Sequence, residues 1–245
     1  MQLTFVGSGD AFGSGGRLNT CFYVRTGSTR FLIDCGATSM AALKRAEVEQ
    51  NTIETIFVTH FHGDHFGGIP YFVLDAQLVA KRTTPLTIVG PEGLQAWYER
   101  VMEMTFPGSA AAKRTFEVKL VEVEPGKAMT IGGVEVLAVR VRHGPPGFPC
   151  LAYRLAVDGK TIAYTGDTEW VDELIALGRD ADLLIAEAFT YERKTPLHLD
   201  LATLEAKLPQ IAPKRLILTH MSDDMLKRAK SLAYETAGDG KRVVV

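Results

Sequence analysis

The sequence predicts an α/β fold. Short apolar, β-branched runs alternate with helical patterns along all 245 residues. Neither a low-complexity segment nor a linker interrupts them. The composition, 46% hydrophobic and 23% charged, is that of a packed globular protein. A chain of this length buries roughly three-quarters of its unfolded surface and needs no disulfide staples. Residues 1–245 therefore read as one domain.

Taken in order, residues 1–6 read as a strand that stops at Gly7-Ser8-Gly9-Asp10, with glycines continuing to Gly16. Residues 21–26 and 30–34 read as a hairpin around Gly27-Ser28. Residues 38–47 read as a helix capped by Thr38 or Ser39, and 54–59 as a buried strand. A strand at 86–89 leads through Gly90-Pro91 into a helix from about Glu92 to Met104, with Pro91 near its first turn. The middle is strand-dominated, at 116–123, 129–131, 134–141, 151–157 and 161–164. Asp158-Gly159 has the chemistry of a hairpin turn. Residues 182–187 and 215–219 read as strands, 201–208 and 225–237 as helices, and 242–245 as a final edge strand. Residues 56–60 and 216–220 echo one another, each an apolar strand ending in Thr-His.

The formal charge of -2 gives no bulk attraction to nucleic acid. No apolar run reaches the ~18 residues of a membrane span, and residues 1–20 hold no basic-then-apolar export signal. Three cysteines, Cys21, Cys35 and Cys150, are too few and too widely spaced for a disulfide framework or a CxxC zinc clip. A reducing, cytoplasmic setting without membrane contact is expected.

The chemistry concentrates in Thr59-His60-Phe61-His62-Gly63-Asp64-His65-Phe66-Gly67-Gly68. Four ligand-type side chains fall within six residues, directly after a strand and inside a glycine-rich turn. Imidazole nitrogen binds borderline divalent metals, and carboxylate adds charge neutralisation. Alternation puts His60 and His62 on one side of an extended segment. The turn at Gly63 then aims Asp64 and His65 back from a helix start. One ion cannot use all four groups from so short a stretch. Two adjacent ions can, the first taking His60 and His62, the second Asp64 and His65.

This HxHxDH pattern resembles the signature of the metallo-β-lactamase superfamily, which implies an αββα sandwich of two mixed sheets flanked by helices. The resemblance implies His143, ahead of Gly144-Pro145-Pro146-Gly147, as third histidine of the first metal. It implies Asp167, within Tyr164-Thr165-Gly166-Asp167-Thr168, as the bridging carboxylate. His220, after Leu218-Thr219, completes the second metal. Phe5-Val6-Gly7-Ser8-Gly9-Asp10-Ala11, Arg17-Leu18-Asn19-Thr20 and Leu32-Ile33-Asp34-Cys35-Gly36 resemble the tRNase Z-like phosphodiesterase branch. In that branch a histidine of an HST-like motif acts on the leaving group, held by a glutamate of an HEAT-like motif. His198-Leu199-Asp200 and Ala186-Glu187-Ala188-Phe189 occupy those places, with departures at Ala186, Leu199 and Asp200. Read without the resemblance, the Gly7–Gly16 loop is a tight turn under the metal site, since it lacks the Lys-Ser/Thr of a P-loop.

The expected cofactor is a pair of divalent ions, zinc by default for a His-rich set, with manganese or iron fitting the same ligands. Such a pair, with two aspartates and a bridging hydroxide as nucleophile, keeps a charge of about +1 and attracts an anionic ester. Asp64 is a proton acceptor as well as a ligand, and His198, oriented by Glu187, a proton donor to the departing oxygen. tRNA-processing members of the branch carry an arm between the third histidine and the Gly-Asp motif. His143 and Asp167 are only 24 residues apart, and two strands fill that space. A small or cyclic phosphodiester is therefore favoured over tRNA. Lys81-Arg82, Lys113-Arg114, Lys214-Arg215 and Lys227-Arg228 read as solvated surface rather than an RNA track. Residues 102–114 read as a helix-to-strand loop or a flap over the cleft. Trp97 and Tyr98 read as core, and Phe148 as a pocket residue. The other readings are a tRNA 3'-processing endoribonuclease, a lactone, thioester or sulfate-ester hydrolase, and a non-catalytic metal- or RNA-binding module. A homodimer is a further expectation.

Overall fold

Burial along the first strand sets the layering. In β1 (Gln2–Gly7), Leu3 and Phe5 turn into a core shared by two sheets, whereas Val6 joins a second core under helices. The computed structural model describes Met1–Val245. The first sheet contains β1, β2 (Cys21–Arg25), β3 (Arg30–Ile33), β4 (Thr55–Phe57), β5 (Leu86–Gly90) and β6 (Val118–Glu122). The second contains β7 (Met129–Ile131), β8 (Val134–Arg140), β9 (Leu151–Val157), β10 (Lys160–Tyr164), β11 (Leu183–Glu187), β12 (Leu216–Thr219) and β13 (Glu235–Thr236). The last strand, β14 (Arg242–Val244), returns to pair with β1, so both sheets are seven-stranded. Each mixes parallel and antiparallel pairs.

The shared core holds Phe22, Phe31 and Phe57 from the first sheet against Tyr153, Ile162, Tyr164 and Ile185 from the second. Phe22 stands edge-on to Phe5 (5.0 Å) and to Tyr164 (5.1 Å), joining the sheets. Such aromatic pairs contribute about 0.5–1.5 kcal/mol each beyond area burial. Outside the first sheet lie α1 (Ser39–Arg45), α2 (Gly63–Phe66), α3 (Ile69–Leu78) and α4 (Leu94–Thr105). They bury Leu43, Phe72, Leu94 and Met102 on its outer face. Outside the second lie α5 (Glu173–Gly178), α6 (Leu201–Ile211) and α7 (Asp223–Arg228). The layers run α/β/β/α as expected. No helix is long and apolar enough to cross a membrane.

Several elements differ from expectation. Pro91 lies outside α4, which starts at Leu94 behind Gly93 (φ 86°). The helix expected over 225–237 ends at Arg228. A 3₁₀ turn and β13 follow, because the open edge of β12 takes Glu235 and Thr236 as parallel partners. Helices α3 and α5 carry no expectation from the sequence. Tyr71, Phe72 and Val73 have modest helix propensity, and burial of Ile69, Phe72, Val73 and Ala76 decides α3 instead. The strand expected over 54–59 stops pairing at Phe57. Thr59 then turns to the second sheet, its carbonyl accepting the Leu151 N–H at 2.9 Å.

Candidate metal centre

Strand direction collects the site. β8, β10, β11 and β12 run the same way through the second sheet, so their C-terminal ends share one edge. His143, Asp167, Glu187 and His220 follow from, or end, those strands. From the first sheet, the segment after β4 delivers His60 and His62, and α2 delivers Asp64 and His65. The approach is tight. A Cβ on Gly36 would lie 2.1 Å from the Asp64 carbonyl oxygen, so only glycine lets this turn close.

Three groups of donors result, the third made by Glu187 and His198 with Asp167 and His220. His60, His62 and His143 form the first, and Asp64, His65, Asp167 and His220 the second, with ligand atoms inside each group within 4.8 Å of one another. His62 Nδ1 and His143 Nε2 are 2.9 Å apart. Asp167 stands between the groups. Its Oδ2 is 3.1 Å from His220 Nε2, 3.3 Å from His65 Nε2 and 3.7 Å from His143 Nε2. All seven residues named from the sequence converge at this edge.

The donors fit divalent metal by what they lack. His60 Nε2, His65 Nε2 and Asp167 Oδ1 are buried without a hydrogen-bond partner. Each such orphan costs about 1–3 kcal/mol unless something satisfies it. Three at one point, all nitrogen or carboxylate oxygen, make a cation site. Burial holds His60 and His62 below the ordinary imidazole range and so neutral, whereas Asp167 and its neighbouring carboxylates overcome burial and raise His65 and, to about 10, His220. Burial opposes the charge on Asp64, but His65 and His220 outweigh it and keep the carboxylate ionised. His220 and His65 hold Asp167 ionised against the same burial.

Other groups fix the ring orientations. Asp34 Oδ2 lies 2.7 Å from His65 Nδ1, and Asp34 Oδ1 accepts the Thr59 N–H at 2.8 Å. Thr59 Oγ1 is 3.0 Å from His60 Nδ1. His143 Nδ1–H donates to the Leu197 carbonyl at 2.8 Å. Sequence reasoning assigned none of these partners. The one available signal was Asp34 inside Leu32-Ile33-Asp34-Cys35-Gly36. The glycine-rich loop turns against the centre, and its Ala11 and Phe12 line the cavity over the donors rather than lying beneath them. Asp10 Oδ1 accepts the N–H groups of Phe12 and Ser14, and the Ser8 carbonyl accepts the His220 N–H.

Glu187 and His198 also meet. Glu187 is wholly buried, and its Oε1 is hydrogen-bonded to His198 Nδ1. Glu187 Oε2 accepts the N–H groups of Thr168 (2.8 Å) and Leu199 (3.2 Å). Burial opposes the imidazolium of His198, but Glu187 raises its pKa above the ordinary value. The motif departures serve packing: Ala186 and Leu199 enter a core, and Asp200 caps α6 by accepting the Thr203 N–H at 2.9 Å.

His198, Phe12 and Phe189 line a cavity of about 190 Å³ over the donors. A wider cavity of about 730 Å³ runs beside it past His143, Phe148 and Arg140. Phe148 stacks on His62 at 5.0 Å, whereas Tyr98 is core and Trp97 stacks on Phe61. Phe12, 86% exposed, was missed because one aromatic in a glycine loop carries no pattern. Residues 102–114 line neither cavity, and the Lys113 carbonyl is tied to Gln77. Arg82, expected as surface, is buried and donates to the Thr84, Gln50, Ile53 and Pro85 carbonyls.

The sequence and the fold have relatives. A family model described as Anti-Pycsar protein Apyc1 matches residues 1–237. The chain belongs to this family. The Apyc1-family chain is also 26% identical to Ribonuclease Z of Geobacillus kaustophilus, over 277 aligned positions covering 91% of this chain and 88% of that one. Among solved structures, the short form of human tRNase Z, ELAC1, superposes with a TM-score of 0.81 at 25% identity, covering 100% and 99% of the two chains. A diphosphatase of the PhnP family superposes at 0.80 with 22% identity, covering 100% and 97%. This Apyc1-family protein is a metal-dependent hydrolase with the metallo-β-lactamase fold, similar to tRNase Z.

Proposed function

We propose that the chain is a binuclear phosphodiesterase acting on a small or cyclic phosphodiester, such as a cyclic nucleotide, a cyclic ribose phosphate or a dinucleotide. The observation that carries this reading is the meeting of two donor groups through Asp167, with His198 on the wall of the same cavity and the buried Glu187 behind it. His60, His62 and His143 would hold one ion, Asp64, His65 and His220 the other, and Asp167 both. When bound, two such ions lower the pKa of water towards neutrality and offset phosphodiester charge. Zinc suits the nitrogen-rich set, and manganese or iron the same ligands.

The chain's own groups supply the proton steps. Glu187 holds His198 Nδ1, which leaves Nε2 to donate to the departing oxygen. Asp64, which lines the cavity, would take the proton of the attacking water.

Size favours a small substrate. β9, β10 and their turn occupy the residues between His143 and Asp167, leaving no length for an arm. The alignment with the Geobacillus Ribonuclease Z spans 277 positions, more than the 245 residues here, so that relative carries segments this chain lacks. Cations of the expected basic pairs are engaged locally. Lys214 is bound to Asp182, Arg215 to Glu235, and Arg228 lies over Tyr191. The second reading, tRNA 3'-processing, is favoured by the likeness to Ribonuclease Z and human tRNase Z.

The test is metal analysis of the purified chain coupled to a substrate panel. Two ions per chain and turnover of cyclic nucleotides or p-nitrophenyl phosphodiesters are expected. Faster cleavage of precursor tRNA, or of lactones and thioesters, would overturn the assignment.

A further inference from the structure

His198 needs more than one hydrogen bond to aim Nε2. Its bond to Glu187 fixes Nδ1, and His143 meets the ring edge-on at 4.8 Å. The remaining constraint is on the face of the ring. Phe189 lies flat against His198, with centroids 4.3 Å apart and planes 20° from parallel. Glu187 and Phe189 stand two residues apart at the end of β11, where extended backbone sends alternate side chains to one side. Ala188 between them turns into the core.

Phe189 is itself held. Its N–H donates to the Leu199 carbonyl at 2.8 Å, and its carbonyl accepts the Ser222 N–H at 3.1 Å. Its ring belongs to none of the hydrophobic core clusters, so the closest aromatic surface it serves is the imidazole. An aromatic side chain withheld from the core and laid on an acid–base group has a positioning role.

We infer that Phe189 is a positioning residue that fixes the ring plane of His198, so that one short segment grips the imidazole at its edge through Glu187 and at its face through Phe189. The inference rests on the reading above that His198 acts on the leaving group.

The test uses the full, zinc-loaded chain with bis-p-nitrophenyl phosphate as the probe. Phe189→Leu and Phe189→Met keep apolar bulk and lose the flat face. Each is expected to lower kcat about ten- to a hundredfold, the scale set by small misplacement of a reacting group, with KM and metal content unchanged. Phe189→Tyr should restore turnover. In a His198→Ala background, Phe189→Leu should cost nothing further, because the two act as one unit. Wild-type kcat in both apolar variants would overturn the inference. An equal additional loss in the His198→Ala background would also overturn it, since that marks a general structural role. If His198→Ala alone keeps full turnover, the role of His198 itself has failed.

Discussion

Asp34 and His65 meet in the floor of the cleft with both side chains closed to solvent, Asp34 Oδ2 lying 2.7 Å from His65 Nδ1. This contact turns His65 Nε2 towards Asp64 and Asp167, each 3.3 Å away. The same carboxylate anchors Thr59, which touches His60, so one buried acid orients a ring in each of the first two donor groups.

Asp34→Asn should therefore weaken metal binding about 10- to 100-fold, the usual cost of losing a partner behind a ligating histidine. Competition with a chromogenic chelator measures it. Unchanged affinity would show that His65 keeps its orientation without the carboxylate.

His198→Ala should lower kcat by ~10²–10⁴ and leave metal content intact, because the side chain donates a proton without being needed as a ligand. Steady-state kinetics beside elemental analysis separates the two effects. Loss of an ion in this variant would move His198 into the ligand set, where its proximity to Asp167 and His220 also allows it.

Stripping the ions should lower the melting temperature. A ligand that binds only the folded chain at 100 times its Kd contributes about 2.7 kcal/mol. For a chain of this size that is roughly 5–10 °C. Thermal unfolding before and after chelation, then with zinc restored, reads the shift. A Tm indifferent to zinc would argue against the orphaned atoms His60 Nε2 and Asp167 Oδ1 being metal donors.

Gly36→Ala should destabilise the fold by about 1–3 kcal/mol or more and displace Asp64, since the new methyl meets backbone at 2.1 Å and Asn19 Cβ at 2.5 Å. Gly63→Ala, with nothing within 4 Å, is the control expected to fold and load normally. Equal behaviour of the two variants would contradict the packing described under the site.

Away from the cleft, the Arg215 hydrogen bond holds the Glu235 carboxyl down at about 2, with help from Lys241. A depressed carboxyl stabilises the fold fully above its unfolded value, near 4.5, and loses that contribution as pH falls through about 2. The β12–β13 edge should therefore weaken as pH drops through that window. Titration of the Glu235 side chain by NMR checks it, and a midpoint near 4.5 would exclude the contact.

The donors His60, His62, Asp64 and His65 were legible because four sit in one short motif, whereas His143, Asp167 and His220 were named through resemblance. Glu187 and His198 were legible only through resemblance, since a strand-end glutamate and a loop histidine have no local pattern. Asp34 stayed hidden for the same reason: its partner is 31 residues away. The misread helix over 225–237 shows a different limit. Its apolar spacing suits a helix, but the vacant edge beside Ile217 and Leu218 selects extended backbone at Glu235 and Thr236. Arg82 defeated a composition rule, because four inward carbonyls offset its burial.

The order in which the donors occur along the chain has a consequence for biosynthesis. A nascent chain leaving the ribosome displays His60, His62, Asp64 and His65 about 155 residues before His220. The second donor group can close only after all of β12 has been made, so a cation that needs it can be held only once strands of both sheets exist.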